Sequence, residues 1–211
     1  MRNDEIISSR ETLTALPGAR RAETVARPWS CLFVPASAGQ VHHLPLELVR
    51  RDIAGDRPGV PLMLRVRVLD ARTADPVTAA VLDVRHRDAC GETILRGAQV
   101  TDAEGYAEFR TVHPGWLPGR AVHLSAEVHV GGCLAGGRSV AHAGRLYLPE
   151  PVTEQVSRMR PYLDSRAART SNDADPGYIA GGKLHVVPRD RFDLTAGLLA
   201  SITVGVGNPE G

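Results

Sequence analysis

The chain has 211 residues, of which 43% are hydrophobic, and its 25 lysines and arginines nearly balance its 24 aspartates and glutamates. This length suits one sizeable core rather than two, and the near-neutral charge provides no long-range attraction to nucleic acid or to an anionic membrane. We therefore expect neither nucleic acid nor membrane among its partners.

The first 28 residues differ in composition from the rest of the chain. They are charged and rich in alanine and arginine, and only EIISSRETLTAL suggests a helix. We predict an irregular arm or short helix over 1–28 and a single domain over 29–211. This segment lacks the apolar centre of a secretory signal, and the three cysteines follow neither a metal-binding nor a disulfide spacing. A cytoplasmic protein is therefore expected.

From Pro61 onward the hydrophobic pattern has a period of two. In PLMLRVRVLD, leucine and valine alternate with methionine and arginine, which is typical of a half-buried strand. Similar short segments follow between turn residues: AAVLDVRHRD, LRGAQVTD, GYAEFRTVH, AVHLSAEVHV, RSVAHAGRLYLP, KLHVVP and LASITVGV. The series predicts an all-β protein, an antiparallel β-sandwich. One short helix is predicted after Pro151 and ends at Pro161.

The segment HPGWLPGRAVHLSAEVHV contains the densest set of candidate functional residues. His123, Ser125, Glu127 and His129 occupy every second position, so their side chains share one face of a strand. Alternation alone leaves open whether His123 faces solvent or a cavity, and we expect Glu127 and His129 to lie at the solvated end of that face.

Several blocks of the chain resemble, in order, those of the intradiol ring-cleavage dioxygenases, the catechol and protocatechuate dioxygenase family. These blocks are PLMLRVRVLD, VLDVRHRDACG, ILRGAQVTDAEGYAEFRTVHPGWLPGRAVHL, GRLYLPE and LLASITVGVG. The resemblance extends from about Cys31 to Gly207. It implies a β-sandwich fold in which two tyrosinates and two histidines hold a non-haem ferric ion that binds the catecholate substrate.

Most positions that the resemblance assigns to iron ligands carry other residues in this chain. Thr93 and Leu117 stand at the two tyrosine positions, while His123 and Ser125 stand at the two histidine positions. Leucine has no donor atom, and neutral hydroxyls are weak replacements for phenolate and imidazole around a hard ferric ion. One imidazole does not provide the full ligand set that metal binding requires. The resemblance therefore implies that His123 faces the cavity of a degenerate metal site, and we expect no cofactor there.

Other residues complete a predicted substrate pocket. Arg120 matches the arginine that, by resemblance, lies over the substrate ring, and Arg145 stands where a pocket glutamine is usual. The remaining candidate substrate-binding residues are His42, His43, Arg85 and Trp116, together with Thr93, Leu117 and Ser125. A structural arginine in the PGWLPG turn, and a surface pair of histidines at 42 and 43, stay open as alternatives.

The leading hypothesis is an iron-free relative of these dioxygenases that carries out cofactor-independent acid/base chemistry. His123 would transfer a proton and Arg120 would stabilise an enolate, in a cyclisation, isomerisation or lyase step on a phenolic or polyketide-like small molecule. A role in secondary metabolism and a homodimer are also expected.

Three alternatives stay open. One is a divergent ferric dioxygenase that cleaves a catechol-type ring, its non-haem iron held in part by Tyr106 or Tyr147. Another is a non-catalytic binding or scaffold protein. A new metal site formed by His42, His86, His113 and His123 is a further possibility, although their spacing is not diagnostic.

Overall fold

The computed structural model describes residues 27–36, 44–131, 134 and 139–207. His42, His43 and nearly all of the predicted arm lie outside these ranges. The described strands, numbered in chain order, are β1 (Cys31–Pro35), β2 (Pro61–Asp70), β3 (Val81–Arg87), β4 (Ile94–Val100), β5 (Tyr106–Val112), β6 (His123–Gly131), β7 (Ser139–Tyr147), β8 (His185–Pro188) and β9 (Leu198–Val206). The α-helix is α1 (Glu150–Ser157). No helix in the described ranges has the length and apolar character that crossing a membrane requires.

Each of the predicted strand segments contains a strand, so the period-two pattern is confirmed. Along β2 the leucine and valine side chains are buried, whereas the alternating arginines and methionine are at least partly accessible. The predicted helix is also present. It begins one residue before Pro151, which fits the first turn because its missing amide has no helical partner there. The sequence prediction missed β1, whose five residues show no clear alternation.

The strands form one mixed sheet rather than the predicted antiparallel sandwich. Their order is β4-β3-β6-β7-β1-β9-β2-β5, and β8 also pairs with β9. Both β1 and β2 run parallel to β9. The short strand β1 joins two groups of strands that a sandwich would keep apart, and the end strands β4 and β5 approach each other. The all-β class is therefore confirmed, and the architecture is corrected to a nearly closed, barrel-like sheet.

A close contact between Phe33 and Gly144 allows β1 to lie beside β7. A Cβ atom at Gly144 would be only 2.3 Å from two ring carbons of Phe33, and Phe33 is completely buried. The glycine is therefore required for this packing. Because β7 also carries Arg145 and Tyr147, the same contact helps to fix the strand that borders the candidate site.

Contacts of the buried Tyr162 side chain hold the turn that precedes β6 in place. The Tyr162 hydroxyl donates to the His113 carbonyl at 2.8 Å and accepts from the Val60 amide at 3.0 Å. Its ring stacks with Trp116, whose indole nitrogen donates to the Ala167 carbonyl at 2.8 Å. These buried contacts hold the PGWLPG turn in place, and the turn leads directly into the candidate site.

Two histidines near this turn are buried as neutral rings. His86 donates from Nδ1 to the Arg87 carbonyl at 2.6 Å and accepts at Nε2 from the Thr111 hydroxyl at 2.7 Å. The Nδ1 of His113 donates to the Pro114 carbonyl at 2.9 Å. Burial lowers the pKa of each histidine to about 4, because the charged form would lose its hydration.

Because of these two histidines, we predict that acidification begins to destabilise the fold at a higher pH than it would if only the carboxylates titrated. In the unfolded chain each ring takes up a proton near pH 6.5, but in the folded chain only near pH 4. Stability is therefore fully present above pH 6.5 and is lost as the pH falls towards 4. At pH 5 the loss is on the order of 2 kcal/mol per histidine.

Urea unfolding at pH 7, 6 and 5 measures this loss. The His86→Gln variant keeps every carboxylate and removes one of the two rings, so its free energy of unfolding should fall less steeply between pH 7 and 5. An unchanged slope in this variant would contradict the assignment to His86.

Candidate functional site

The candidate site lies on the face of the sheet opposite the core, where β6 passes between β3 and β7. Leu124 and Ala126 of β6 point into the core, so His123 and Ser125 point outward. Ser125 is paired with Arg85 of β3 on one side and with Arg145 of β7 on the other. The strand register therefore places a serine between two arginines.

Two adjoining cavities open on this face. The smaller has a volume of about 140 Å³, and the larger, of about 340 Å³, lies towards β7. Arg85 and Ser125 line both cavities. The predicted residues that line the smaller cavity are Arg85, Trp116, Leu117, Arg120, His123 and Ser125. The larger cavity is bordered by Arg145, Tyr147, Gly177 and Ile179 in addition to the shared pair.

His123 is held in one tautomer by a backbone contact. Its Nδ1 lies 2.7 Å from the Ala121 carbonyl oxygen, which can only accept, so Nδ1 carries the hydrogen and Nε2 has the free lone pair. Burial lowers the pKa of His123. The hydrogen bond to Ala121 opposes this effect, while the positive charges of Arg145 and Arg120 reinforce it. The ring is therefore neutral at pH 7 and able to accept a proton.

Arg120 is anchored by a buried carboxylate that the sequence prediction missed. The Arg120 guanidinium lies 3.3 Å from Asp175 Oδ1, and its side chain is 48% exposed whereas that of Asp175 is fully buried. Asp175 also accepts from the Ala121 amide at 3.0 Å and from the Gly177 amide at 2.8 Å. Burial alone would raise the pKa of Asp175, but these amides and Arg120 outweigh it and keep the pKa below its usual value.

The loop DPGY at residues 175–178 also brings β7 into the site. The Tyr147 hydroxyl donates to the Gly177 carbonyl at 2.6 Å, and the Tyr147 ring packs edge-on against Tyr178. A Cβ atom at Gly177 would lie 2.8 Å from Arg145 Nη1 and 3.1 Å from Arg120 Nη1. The two guanidinium groups therefore converge at this glycine. The sequence prediction treated the segment as a polar loop, and only the Asp-Pro-Gly turn signal marked it.

The far end of the polar face is buried at His129 and only partly accessible at Glu127, which corrects the expectation that it is solvated. Asp83 forms a two-nitrogen contact with Arg96, with a shortest distance of 2.6 Å, and Glu127 pairs with Arg85 at 2.8 Å. His129 is also buried, and its Nε2 lies 3.9 Å from Glu127. The cause is a separate apolar cluster, to which Leu44 and Leu48 belong, packed on the neighbouring residues of β3 and β4.

Within the described residues, only Asp83, Glu127 and His129 form a group of metal-type donors close to one another. Their donor atoms lie within 4.8 Å of each other, but arginines already neutralise both carboxylates. The network therefore has a structural role, and through Glu127 it fixes the position of Arg85. His123 is not part of this group, and His86 and His113 are engaged in the separate buried contacts described above.

Of the predicted substrate-binding residues, Thr93 lies away from both cavities, and Trp116 is largely committed to a buried contact. Thr93 lines neither cavity, and its carbonyl instead accepts from the Asp88 amide at 2.8 Å. Trp116 reaches the smaller cavity but is 94% buried, with its indole nitrogen bound to Ala167. His42 and His43 fall outside the described residues.

The residues at this site do not fit a ferric ion. Beside His123 the cavity offers the Leu117 side chain, which has no donor atom, and the neutral Ser125 hydroxyl. His86 also lines it, but both of its ring nitrogens are already hydrogen-bonded, to the Arg87 carbonyl and the Thr111 hydroxyl. Tyr147 does not replace the missing phenolates, because its hydroxyl proton is committed to the Gly177 carbonyl. Tyr106 lies on β5, under the guanidinium groups of Arg65 and Arg67. The donors that remain in the cavity therefore do not make up a ligand set for ferric iron.

The charges around His123 predict opposite pKa changes in two variants. Asp175 favours the charged imidazole and Arg145 disfavours it. The pKa of His123 should therefore fall further in Asp175→Asn and should rise in Arg145→Gln. Titration of the His123 ring protons by NMR measures both changes, with Arg189→Gln, at an exposed arginine directly after β8, as a control. Shifts in the same direction in both variants would show that a general change of structure, not charge, determines the pKa.

Comparison with known proteins supports the architecture. No protein-family model and no curated protein sequence matches the chain. Among solved structures, an intradiol ring-cleavage dioxygenase from Tetranychus urticae is similar with a TM-score of 0.66 and 24% identity, over 84% of this chain and 95% of that chain. The dioxygenase domain of a carbohydrate-binding fusion protein from Streptomyces sp. SirexAA-E gives a TM-score of 0.59 and 21% identity, over 84% and 99%.

A third structure, hydroxyquinol 1,2-dioxygenase from Pseudomonas putida DLL-E4, gives a TM-score of 0.52 and 21% identity, over 82% of this chain and 65% of that chain. These similarities confirm the resemblance at the level of the fold. The barrel-like sheet with its one helix thus has the fold of the intradiol ring-cleavage dioxygenases.

Proposed function

We propose that this chain is an iron-free relative of the intradiol dioxygenases that catalyses proton transfer on a phenolic or polyketide-like small molecule. The observation that carries the proposal is that His123 and Arg120 line one cavity that no tyrosine or carboxylate of the described residues lines. One supplies a free imidazole lone pair and the other a permanent positive charge. This pair suits cyclisation, isomerisation or a lyase step without a cofactor.

His123 acts as the general base in this mechanism. Its neutral Nε2 removes a proton from a carbon next to a substrate carbonyl, and the electron pair moves to the carbonyl oxygen to give an enolate. The Ala121 carbonyl, which accepts from Nδ1, stabilises the imidazolium that forms. A positioned base of this kind contributes about 10²–10⁴ to the rate.

Arg120 stabilises the enolate oxygen through its guanidinium group. Asp175 keeps this group in place, and the partial exposure of Arg120 leaves donors for the substrate. The enolate then takes the proton back from His123 at another atom, which completes an isomerisation. In a cyclisation, the enolate carbon attacks a second carbonyl of the substrate, and the resulting alkoxide takes the proton.

The ferric dioxygenase remains the alternative with a specific observation behind it, since the structural neighbours are named as dioxygenases. It would require iron ligands other than those of the cavity. A non-catalytic binding protein would keep the cavity but not the proton transfer. Cytoplasmic location, a role in secondary metabolism and a homodimer stay predictions.

Hydrogen–deuterium exchange of 1-phenylbutane-1,3-dione, followed by NMR, tests the proton transfer. The wild-type protein should accelerate exchange, and His123→Asn should lower the catalysed rate at least 100-fold, within the range of a lost general base. The rate should rise with pH to a plateau, with a midpoint below the ordinary histidine value of 6.5. The control His185→Asn alters an exposed histidine on β8 and should leave the rate unchanged. Equal rates in wild type and His123→Asn would overturn the proposal.

Iron binding provides a separate prediction. The purified protein incubated with ferric iron and then gel-filtered should retain well below one ion per chain and should not cleave catechol. The double variant Leu117→Tyr/Ser125→His supplies a phenol and a second imidazole, and should retain more iron than wild type. One tightly held ferric ion per wild-type chain, with catechol cleavage lost on chelation, would favour the dioxygenase.

A further inference from the structure

We infer that the substrate is an elongated molecule whose reacting end occupies the smaller cavity and whose far end carries a carboxylate that binds Arg145 in the larger one. The inference rests on the proposed function, because it defines the substrate class of the same site. Three features carry it: the connection between the cavities, the unpaired charge of Arg145, and the walls of the larger cavity.

The two cavities adjoin at Ser125 and Arg85, which line both. Serine is small, whereas the imidazole that the resemblance places at this position would project between the cavities. The smaller cavity, of about 140 Å³, holds little more than one ring, since a cavity of about 150 Å³ accommodates benzene. A larger substrate held at His123 has room to extend past Ser125 into the adjoining space of about 340 Å³.

Arg145 has no counter-ion among the described residues. Arg85 is paired with Glu127 at 2.8 Å and Arg120 with Asp175 at 3.3 Å, but no ion pair or hydrogen bond of the Arg145 guanidinium is found in the described part of the chain. It also converges with Arg120 at Gly177, where the one nearby carboxylate among the described residues, Asp175, is paired with Arg120. A partly buried, unpaired guanidinium beside a second one is a strong site for a carboxylate, which it can bind through two parallel hydrogen bonds.

Between Ser125 and Arg145, the walls of the larger cavity suit an apolar segment of the substrate rather than a second polar group. Ala143 and Gly144 are small and leave space, and the Tyr147 ring and Ile179 provide apolar surface. Glu127 also borders this cavity, but its charge is offset by Arg85. A short hydrocarbon chain would thus lie along these walls and place its terminal carboxylate at Arg145.

Binding of three synthetic probes tests this inference. They are 5-(3-hydroxyphenyl)pentanoate, the corresponding pentanamide, and 3-methylphenol, which lacks the chain. Calorimetry should show that wild type binds the pentanoate at least about tenfold more tightly than the amide, as expected for a charge-assisted pair. The groups that surround His123 are Arg145, Asp175, Arg120 and the Tyr147 ring. Because Arg145 lowers the pKa of His123, the bound pentanoate should raise this pKa and the amide should not.

Two variants test separately the charge of Arg145 and the connection between the two cavities at Ser125. Arg145→Gln should bind the pentanoate and the amide equally, and Ser125→Leu should weaken both long probes more than it weakens 3-methylphenol. The exposed Arg189→Gln serves as the matched control and should keep the tenfold preference. The inference is overturned if Arg145→Gln keeps that preference, or if Ser125→Leu binds the long probes normally.

The outcomes distinguish this inference from the proposed function. If exchange of the diketone depends on His123 but the pentanoate is not preferred, the function stands and the substrate class is wrong. If the pentanoate is preferred through Arg145 but exchange does not depend on His123, the anion site stands as a binding site and the catalytic proposal fails.

Discussion

The buried carboxylate of Asp175 is the constraint on which the whole site depends. It accepts hydrogen bonds from the amides of Ala121 and Gly177 and pairs with Arg120. Ala121 in turn accepts from His123, so one carboxylate sets the position of both proposed reacting groups. Because a buried carboxylate is costly without partners, the loop that carries it can close on β6 only in this arrangement.

The outer face of β3, β6 and β7 is a layer of charges in which nearly every member has a partner. Arg96 binds Asp83, and Arg85 binds Glu127, so these groups stabilise a fixed surface beneath an apolar cover. Such pairs mainly specify geometry, since desolvation offsets much of their attraction. Among the described residues, Arg145 departs from this pattern because it forms no ion pair, and it lies at the border of the larger cavity.

Much of the fold could be predicted from local sequence, but the pairings that close it could not. Alternation along β2 and β6 identified the strands and the outward face of His123, because each depends only on a period of two. The mixed sheet depends on β1, a five-residue strand whose position requires a glycine more than 100 residues away. Asp175 was missed for the same reason, since it meets Arg120 across 55 residues. Glu127 was predicted as solvated because alternation cannot reveal which apolar segment covers a face.

The substitutions at Leu117 and Ser125 change the electrostatics of the cavity as well as its donors. A site that holds a cation needs surplus negative charge, whereas the described groups around His123 are two arginines against one carboxylate. This balance keeps the imidazole neutral and disfavours a metal ion. The same surplus of positive charge favours anions, including the enolate that a base would create. In the proposed mechanism, Leu117, Ser125 and Arg120 therefore act in one direction, towards an environment that stabilises negative charge forming on a substrate.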